Sequence, residues 1–418
     1  IRQIIFFFYM KNIQFTCPFC SLLCDDIELK VKNNSFRSFN TNCLILKKSI
    51  KKKVQDQFPR IKGKKTTMSL ALDELAKLIK KSKSMLFTGM GTDIKGTQAS
   101  LDILDKFGGI IDHFSGDSYS KSLKSIQEIG GVYLTLSELK NRCDTIIIIE
   151  TTDQVVPRLF ERYIFPKETI NRIKKRKIVY IGSKIPQFLL ENKNRFIFEF
   201  ISINSQNLLN LISNLRQNIN NNNLDNIKDK NLIFLFKLLK KTNYGSIIWS
   251  AKELDKDLGD LIINEINLLI QDLNKFTRFA GMSLSGIHHL LTVNEVLLWQ
   301  TGFPIRTSFS KGYPNHNVDQ FSTTQLLKRK EVDLVVWIDS FHEERIILKK
   351  NIKSVLLGTP NHPQKKNADI FIPLGTPGLD HNSHLLRADK VVSMSLKKIR
   401  NISLPSVSDV LKKVKERI

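Results

Sequence analysis

The chain has 418 residues, of which 41% are hydrophobic and 25% are charged. These proportions are typical of folded globular proteins and exclude wholesale disorder, while the length predicts two or three domains. The 65 Lys and Arg residues outnumber the 40 Asp and Glu residues, which gives a formal net charge of +25. That charge suits a polyanionic ligand, but the general abundance of Lys, Asn and Ile favours compositional drift.

No apolar run reaches the ~18–20 residues that a membrane-spanning helix needs, so we expect no membrane association. The opening segment IRQIIFFFYM resembles a short signal sequence, but its apolar core is brief and no small-residue cleavage site follows. We therefore expect Met10 to be the true start. Four of the five cysteines cluster near the N-terminus, which indicates a reducing cytoplasm and a metal site rather than disulfides.

After a cysteine-bearing segment and a lysine-rich connector, the sequence changes to an α/β pattern. An amphipathic helix over 68–81 is followed by a strand over 85–88, a glycine turn and a helix over 97–107. Later strand candidates are short, continuous apolar runs, as expected of strands buried on both faces of a parallel sheet. They lie at 145–150, 177–181, 195–200, 246–249, 333–338, 354–357 and 369–372.

Two segments interrupt this pattern. The Asn-rich tract over 217–230 is predicted to be a solvated loop. The segment over 301–317 is dense in Gly, Pro and Asn and too long for a simple turn. Loops of that length in a compact domain are usually functional or disordered, and the aromatic residues of this loop favour function.

The strongest chemical signal is Cys17-x2-Cys20-x3-Cys24 with Cys43 further along the chain. Three thiolates in a tight loop plus a distant fourth suit an iron–sulfur cubane. Zinc prefers paired CxxC knuckles, which the gap between Cys20 and Cys24 fits poorly, and simply buried thiols are a third interpretation. Cys143 stands apart before an apolar strand and is expected to be a core residue.

Two weaker motifs carry chemistry-bearing residues. Gly89-x-Gly91 follows a predicted strand and hints at a turn that approaches a phosphate, although it misses the GxGxxG spacing. Asp380-His381-x2-His384 carries donor types that suit a metal, but hydrogen-bonded loop histidines are the favoured interpretation. No Ser/His/Asp order or local acid pair indicates a hydrolase of its own.

The segments CPFCSLLCDDIEL and TNCLILKKS resemble the N-terminal cluster domain of molybdopterin oxidoreductases, and more narrowly the B subunit of formylmethanofuran dehydrogenase. The blocks QEIGGVYLTLSELKNRCD, TGFPIRTSFSKGYPNHN and ADIFIPLGTPGLDHNSHLLRAD resemble that subunit in the same order. The resemblance implies an α/β fold with a small Cys-rich N-terminal domain and two doubly wound α/β domains, one inserted in the other. The expected boundaries are 10–62 for the Cys domain, 63–135 with 300–418 for the first α/β domain, and 136–299 for the inserted one.

Two kinds of enzyme share this subunit. In methanogens it carries a tungsten or molybdenum bis-pterin centre that interconverts carbon dioxide and formate. In methylotrophs a similar subunit belongs to the formyltransferase/hydrolase complex. The redox members ligate the metal through Cys or selenocysteine just upstream of the block matching SIQEIGGV, but here no cysteine occurs between Cys43 and Cys143. Ser118 lies near the expected position, and because serine ligates molybdenum in some relatives, a molybdenum or tungsten bis-pterin is disfavoured rather than excluded.

The resemblance therefore implies the B subunit of a formylmethanofuran dehydrogenase-type complex, an oxidoreductase family in which this chain has lost its own redox activity. It would be a non-redox scaffold in a complex that converts formyl-tetrahydromethanopterin to formate through a formylated furan carrier. The implied partners are the amidohydrolase-like A subunit, the C subunit and the formyl-transferring D subunit of the same complex. A furan carrier bearing glutamates could be held by the positive charge of the chain.

The implied site residues follow from the same comparison. A 4Fe–4S cluster would be held by Cys17, Cys20, Cys24 and Cys43. Gly89 and Gly91 would be remnants of a pterin-dinucleotide cradle, and the catalytic residues remain unassigned apart from the position of Ser118. The alternatives are an active molybdenum or tungsten subunit and a basic, zinc-stapled nucleic-acid-binding protein. The buried-strand pattern and the lack of a stacked aromatic motif disfavour nucleic acid as a partner.

Overall fold

The computed structural model describes residues 11–32, 34–38, 40–151, 156–166, 168–170, 176–225, 227–284 and 288–418. These residues form two compact units. The first unit holds the described residues before Asp117 and from His288 onward, and the second holds those from Asp117 to Leu284. The opening IRQIIFFFYM lies outside the described residues, so a start at Met10 stays a prediction, as do the three domain boundaries.

The strands are β1 Lys11–Phe15, β2 Ile27–Lys32, β3 Ser35–Ser38, β4 Arg60–Ile61, β5 Lys64–Lys65, β6 Met85–Gly91, β7 Ile110–Ile111, β8 Thr145–Ile149, β9 Lys177–Gly182, β10 Ile197–Ser202, β11 Tyr244–Trp249, β12 Arg278–Ser283, β13 Thr307–Ser308, β14 Asn315–His316, β15 Leu334–Asp339, β16 Lys353–Gly358, β17 Ile370–Pro373, β18 Ser383–Leu386 and β19 Ser393–Leu396. The α-helices are α1 Leu44–Ile50, α2 Met68–Lys81, α3 Ile94–Phe107, α4 Gly116–Glu128, α5 Leu136–Asn141, α6 Gln187–Asn192, α7 Ser205–Asn221, α8 Lys230–Lys240, α9 Gly259–Leu273, α10 Leu290–Thr301, α11 Thr323–Arg329 and α12 Val407–Lys415. Each strand and helix predicted from the sequence is present, with its ends shifted by a few residues.

The N-terminal part of the first unit is an antiparallel sheet in the order β1-β2-β3. The loop between β1 and β2 carries three of the clustered cysteines, and Cys43 immediately precedes α1. Leu23 of this loop packs with Phe341 and Leu385 in a small apolar cluster. The cysteine-bearing loop is therefore held against the rest of the first unit.

The main sheet of the first unit has the strand order β14-β13-β7-β6-β15-β16-β17-β4-β5. The five strands from β7 to β17 in this order pair in parallel. Strands β6 and β15 are buried along their whole length, which is why they appear in the sequence as continuous apolar runs. The strand order reverses between β6 and β15, and the carboxyl ends of strands at such a point form a crevice.

The second unit is built on a fully parallel sheet in the order β10-β9-β8-β11-β12. Helices α7, α8 and α9 pack on one face of this sheet and form a single apolar core with it. Leu235 of α8 and Trp249 of β11 are both fully buried in that core.

None of the helices in the described part of the chain is long and apolar enough to span a bilayer.

The tract over 217–230, predicted to be a loop, is helical at both ends. Helix α7 continues to Asn221, and α8 begins at Lys230. Ile219 is 3% exposed and belongs to the core of the second unit, while the carboxylate of Asp229 caps the start of α8. The prediction was wrong at these ends because one buried isoleucine at helical spacing outweighs the surrounding asparagines.

Replacing Leu235 by Ala should lower the free energy of unfolding by ~2–5 kcal/mol, because the truncation leaves a cavity in the packed core. Leu190→Ala is the matched control, since Leu190 of α6 is 46% exposed, and it should change the free energy by no more than ~0.5 kcal/mol. Urea unfolding of both variants measures the difference. Equal effects of the two variants would contradict the described core.

Candidate functional site

Four thiols lie close together in the first unit. Cys17, Cys20 and Cys24 are 5%, 6% and 4% exposed, Cys43 is half-buried, and none of them forms a disulfide. The Cys17 N–H donates to the Cys24 carbonyl at 2.8 Å, which closes the loop. Leu23 adopts a left-handed φ of +47°, which allows the tight turn before Cys24.

The four thiols are close enough for their charges to interact. Burial raises the pKa of the Cys17 thiol well above its ordinary value, and the nearby Cys20, Cys24 and Cys43 thiols raise it further. Such thiols ionise only when a bound cation compensates their charge, as metal-ligating thiolates do.

The four thiols are the metal-ligating side chains that the sequence singled out. Among the described residues, no group of three or more His, Cys, Asp or Glu side chains is arranged to hold a single metal ion. Four thiolates are soft ligands of the kind that iron–sulfur clusters use. A cluster held by these cysteines stays a prediction.

Four histidines gather beside the cysteine-bearing loop. His113 follows β7, His288 and His289 precede α10, and His342 follows β15. The ring centroids of His288 and His342 are 5.1 Å apart. The Nε2–H of His289 donates to the carbonyl of Pro18 at 2.6 Å, so this histidine cluster directly contacts the cysteine-bearing loop.

Two members of the histidine cluster, His113 and His289, are neutral at physiological pH. The Nε2–H of His113 donates to the carbonyl of His288 at 3.0 Å, and its Nδ1 accepts from the N–H of Ser115 at 3.0 Å. Burial lowers the pKa of His113 to about 3, and the nearby His288 makes the next largest contribution to this shift. Burial likewise lowers the pKa of His289 to about 3. With both ring nitrogens occupied, His113 orders the backbone around it and is not available as a general base.

The loop over 301–317 is anchored by a buried ion pair. Arg306 is 3% exposed, and its Nε lies 3.3 Å from Oδ1 of Asp112. Its Nη1 donates to the carbonyl of Val318, and the N–H of Thr323 donates to Oδ2 of Asp112 at 2.7 Å. Burial raises the pKa of the Asp112 carboxyl, which Arg306 opposes. This loop, predicted to be functional, is therefore fixed at the carboxyl end of β7.

Gly89 and Gly91 lie at the end of β6, where that strand approaches β15 closely. A Cβ atom on Gly89 would lie 2.8 Å from the carbonyl oxygen of Ile338, and one on Gly91 would lie 2.9 Å from Oδ1 of Asp339. The carboxylate of Asp93 caps the helix that follows. Since the protein's own anion occupies this helix end, these residues do not fit a phosphate there, and a role in a cofactor cradle stays a prediction.

The remaining sequence-predicted residues are dispersed. Ser118 is half-buried in α4, within the second unit. Cys143 is fully buried before β8, and burial raises the pKa of its thiol to about 12, as expected of a core residue. Asp380 forms a buried ion pair with Arg400 at 2.6 Å. His384 is exposed, so this motif does not assemble a metal site within the described part of the chain.

Sequence reasoning missed the Asp112–Arg306 pair, His113 and His342. A usable signal was present, because Asp112 and His113 directly follow β7 and His342 closely follows β15. Polar residues just beyond buried parallel strands lie at the edge of the sheet where α/β proteins place their sites. The partner of Asp112 could not be found this way, since Arg306 is distant in the sequence.

Comparison with known proteins places this geometry in a context. No family model matches the chain. The chain is 24% identical to the B subunit of the tungsten-containing formylmethanofuran dehydrogenase 2 of Methanococcus maripaludis, over 97% of this chain and 99% of that protein. It is 25% identical to the B subunit of the same name in Methanocaldococcus jannaschii, over 98% of this chain and 99% of that protein.

A methylotroph protein is also related. The chain is 21% identical to the B subunit of the formyltransferase/hydrolase complex Fhc of Methylorubrum extorquens, over 76% of this chain and 85% of that protein. A chain in the crystal structure of the formyltransferase/hydrolase complex of that organism, solved with methylofuran, matches with a TM-score of 0.74 and 20% identity. The match covers 86% of this chain and 98% of that chain.

The structural match defines the class: a mixed α/β protein with the fold of a chain in the formyltransferase/hydrolase complex. The relatives are more specific. The chain is a homologue of the B subunits of formylmethanofuran dehydrogenase and of the formyltransferase/hydrolase complex. The resemblance inferred from the sequence is confirmed.

His113→Gln should make the folded protein less sensitive to acid. The folded-state pKa of about 3 lies below the ~6.5 of an unfolded chain, so the unfolded state binds more protons below about pH 6.5. His113 therefore lowers the free energy of unfolding by ~1.4 kcal/mol for each pH unit as the pH falls from about 6.5 towards 3. Above about pH 6.5 it has no such effect. Urea unfolding at about pH 7.5 and 5.5 should show wild type losing ~1.4 kcal/mol more than the variant.

His384→Gln is the matched control, because His384 is exposed on β18. This variant should keep the pH dependence of the wild type. If His113→Gln kept it as well, the neutral, buried state of His113 would be contradicted.

Proposed function

We propose that this chain is the B subunit of a formyltransferase/hydrolase-type complex of one-carbon metabolism and acts there as a scaffold without redox activity. The observation that carries this proposal is the absence of any cysteine between Cys43 and Cys143. The redox members are expected to hold their metal through a cysteine or selenocysteine in that interval, where this chain has Ser118. The carboxylate of Asp93 at the start of α3 supports the same conclusion, since it disfavours a cofactor phosphate there.

In this proposal the chemistry belongs to the other subunits of a cytoplasmic assembly. The amidohydrolase-like A subunit would hydrolyse the formylated furan carrier and the D subunit would transfer the formyl group, with the C subunit completing the complex. His113 of the present chain is not available as a general base, because both of its ring nitrogens are occupied. The contribution of the chain is to hold the catalytic subunits in position.

An active tungsten or molybdenum subunit is the second candidate. It is favoured by the names of the two methanogen relatives, both tungsten-containing, which match over almost the whole chain. This candidate requires Ser118 to replace a cysteine ligand of the metal. The two candidates differ in redox activity, because only the second one transfers electrons.

An activity assay separates the two candidates. The complex purified through this chain should convert formyl-tetrahydromethanopterin to formate at an undiminished rate when no electron acceptor is present, since neither transfer nor hydrolysis changes the oxidation state of the formyl carbon. A viologen dye should not be reduced in the presence of the formylated carrier. Carrier-dependent dye reduction would contradict the scaffold proposal and favour the second candidate.

We further propose that Cys17, Cys20, Cys24 and Cys43 hold a 4Fe–4S cluster. The support is the burial of Cys17, Cys20 and Cys24, the proximity of the four thiols and the softness of four thiolates as ligands. In a protein without redox activity, such a cluster would fasten the loop between β1 and β2 to α1 rather than relay electrons.

Cys20→Ser should remove most of the iron from the anaerobically purified complex, because a hydroxyl is a poor substitute for a thiolate ligand. Wild type should contain about four iron atoms per chain, with a broad absorbance near ~400 nm. Cys143→Ser is the matched control, since Cys143 lies in the second unit and is not a predicted ligand. Iron that is absent from wild type, or unchanged in Cys20→Ser, would contradict the cluster.

We also propose that the positive charge of the chain helps to retain an anionic furan carrier. The net charge of +25 supports this, because such a charge raises the local concentration of anions. Retention of the carrier should fall when ionic strength rises from ~0.1 to ~1 M, as the screening length drops from ~10 to ~3 Å. Retention of a carrier analogue without glutamates should not change with ionic strength. If retention of the natural carrier were also independent of ionic strength, this role of the charge would be excluded.

A further inference from the structure

The second unit has an apolar groove beside the edge strand of its sheet. Among the described strands, β10 pairs with β9 alone and therefore forms one edge. A groove of about 250 Å³ lies between the first residues of β9 and β10 and the last turns of α8. Phe234 and Leu238 of α8 line it together, as expected of residues four apart on one helix face.

The floor of the groove comes from the two strands. In their parallel register, Ile197 is aligned with Lys177 and Glu199 with Val179. Aligned residues, and residues two apart, project from the same face of a sheet, so these four side chains share the face that α8 covers. Ile197 is nevertheless 44% exposed, which shows that α8 leaves this part of the floor open to solvent.

Three lysine ammonium groups are among the groups that line the groove. Lys177 begins β9, and Lys237 and Lys241 lie one turn apart at the end of α8. None of the three forms an ion pair with a carboxylate of the described residues, although other lysines of the chain do. The groove also has one carboxylate in its lining, Glu199, which leaves a formal charge of about +2 around it.

We propose that this groove binds a small amphiphilic anion: a single short alkyl or aryl tail over Val179, Ile197 and Leu238, and a carboxylate or sulfate among the lysines. The combination of an apolar floor with a few convergent charged groups is what small-molecule sites present. The volume is just below the ~300–1,000 Å³ of typical ligand sites, which suits one tail rather than two. The site lies at the amino ends of the strands and goes beyond the proposed function, because it contains none of the residues assigned to a cluster or cofactor.

Binding of sodium decanoate to the purified complex, below its micelle concentration, tests the proposal by titration calorimetry. Decanoate should bind once per chain and at least tenfold more tightly than acetate, because each fully buried methylene contributes roughly fourfold. It should also bind more tightly than decanol or decyltrimethylammonium, and its affinity should fall as salt is raised.

Substitutions locate the site. The double variant Lys237→Gln/Lys241→Gln should weaken decanoate binding about three- to tenfold, since exposed ion pairs contribute a few-fold each. Glu199→Gln should strengthen it, because one repulsive carboxylate is removed. Lys256→Gln is the matched control. Lys256 is exposed beyond the carboxyl end of β11, whereas the groove lies at the amino ends of β9 and β10, so replacing Lys256 should leave decanoate binding unchanged.

Three results would overturn the proposal. The first is no saturable binding of decanoate. The second is equal or tighter binding of decanol or decyltrimethylammonium, which would make the groove a plain apolar surface. The third is competition by monomeric didecanoylphosphatidylglycerol, which has two tails and would identify the occupant as a membrane lipid rather than a free anion.

Discussion

The pairing of β6 with β15 is the constraint on which the first unit depends. These strands, Met85–Gly91 and Leu334–Asp339, are separated in the sequence by the whole second unit, yet they are central neighbours in the main sheet. Their close approach leaves no room for a Cβ atom at Gly89 or Gly91. Because strand order reverses at this pair, the segments after β6, β7 and β15 converge at one edge.

The groups that meet at this edge are fixed rather than poised to react. His113 has both ring nitrogens occupied, and burial keeps its pKa about 3. The Asp112–Arg306 pair anchors the loop over 301–317. Breaking such a buried pair on one side costs ~3–5 kcal/mol, because the remaining charge is left uncompensated. The described contacts therefore hold the backbone at this edge of the sheet in place.

Features that depend on neighbouring residues in the sequence were predictable, whereas contacts between residues distant in the sequence were not. The parallel strands were predictable because burial on both faces requires short apolar runs, as in β8 and β15. The close association of the four cysteines was expected from spacing alone. The Asp112–Arg306 pair was not predictable, since tertiary packing alone brings its members together. The loop predicted from the asparagine-rich composition was wrong up to Asn221. Helix α7 continues through these asparagines because Ile219 is buried.

The central claim is that this homologue of the B subunit of formylmethanofuran dehydrogenase performs no redox chemistry of its own. The most direct test is to measure tungsten, molybdenum and pterin in the intact complex purified anaerobically through this chain, by plasma mass spectrometry and by fluorescence of the released pterin. Our account predicts that all three are far below one equivalent per chain, in preparations that form formate from formyl-tetrahydromethanopterin. One equivalent of either metal with two of pterin would contradict it.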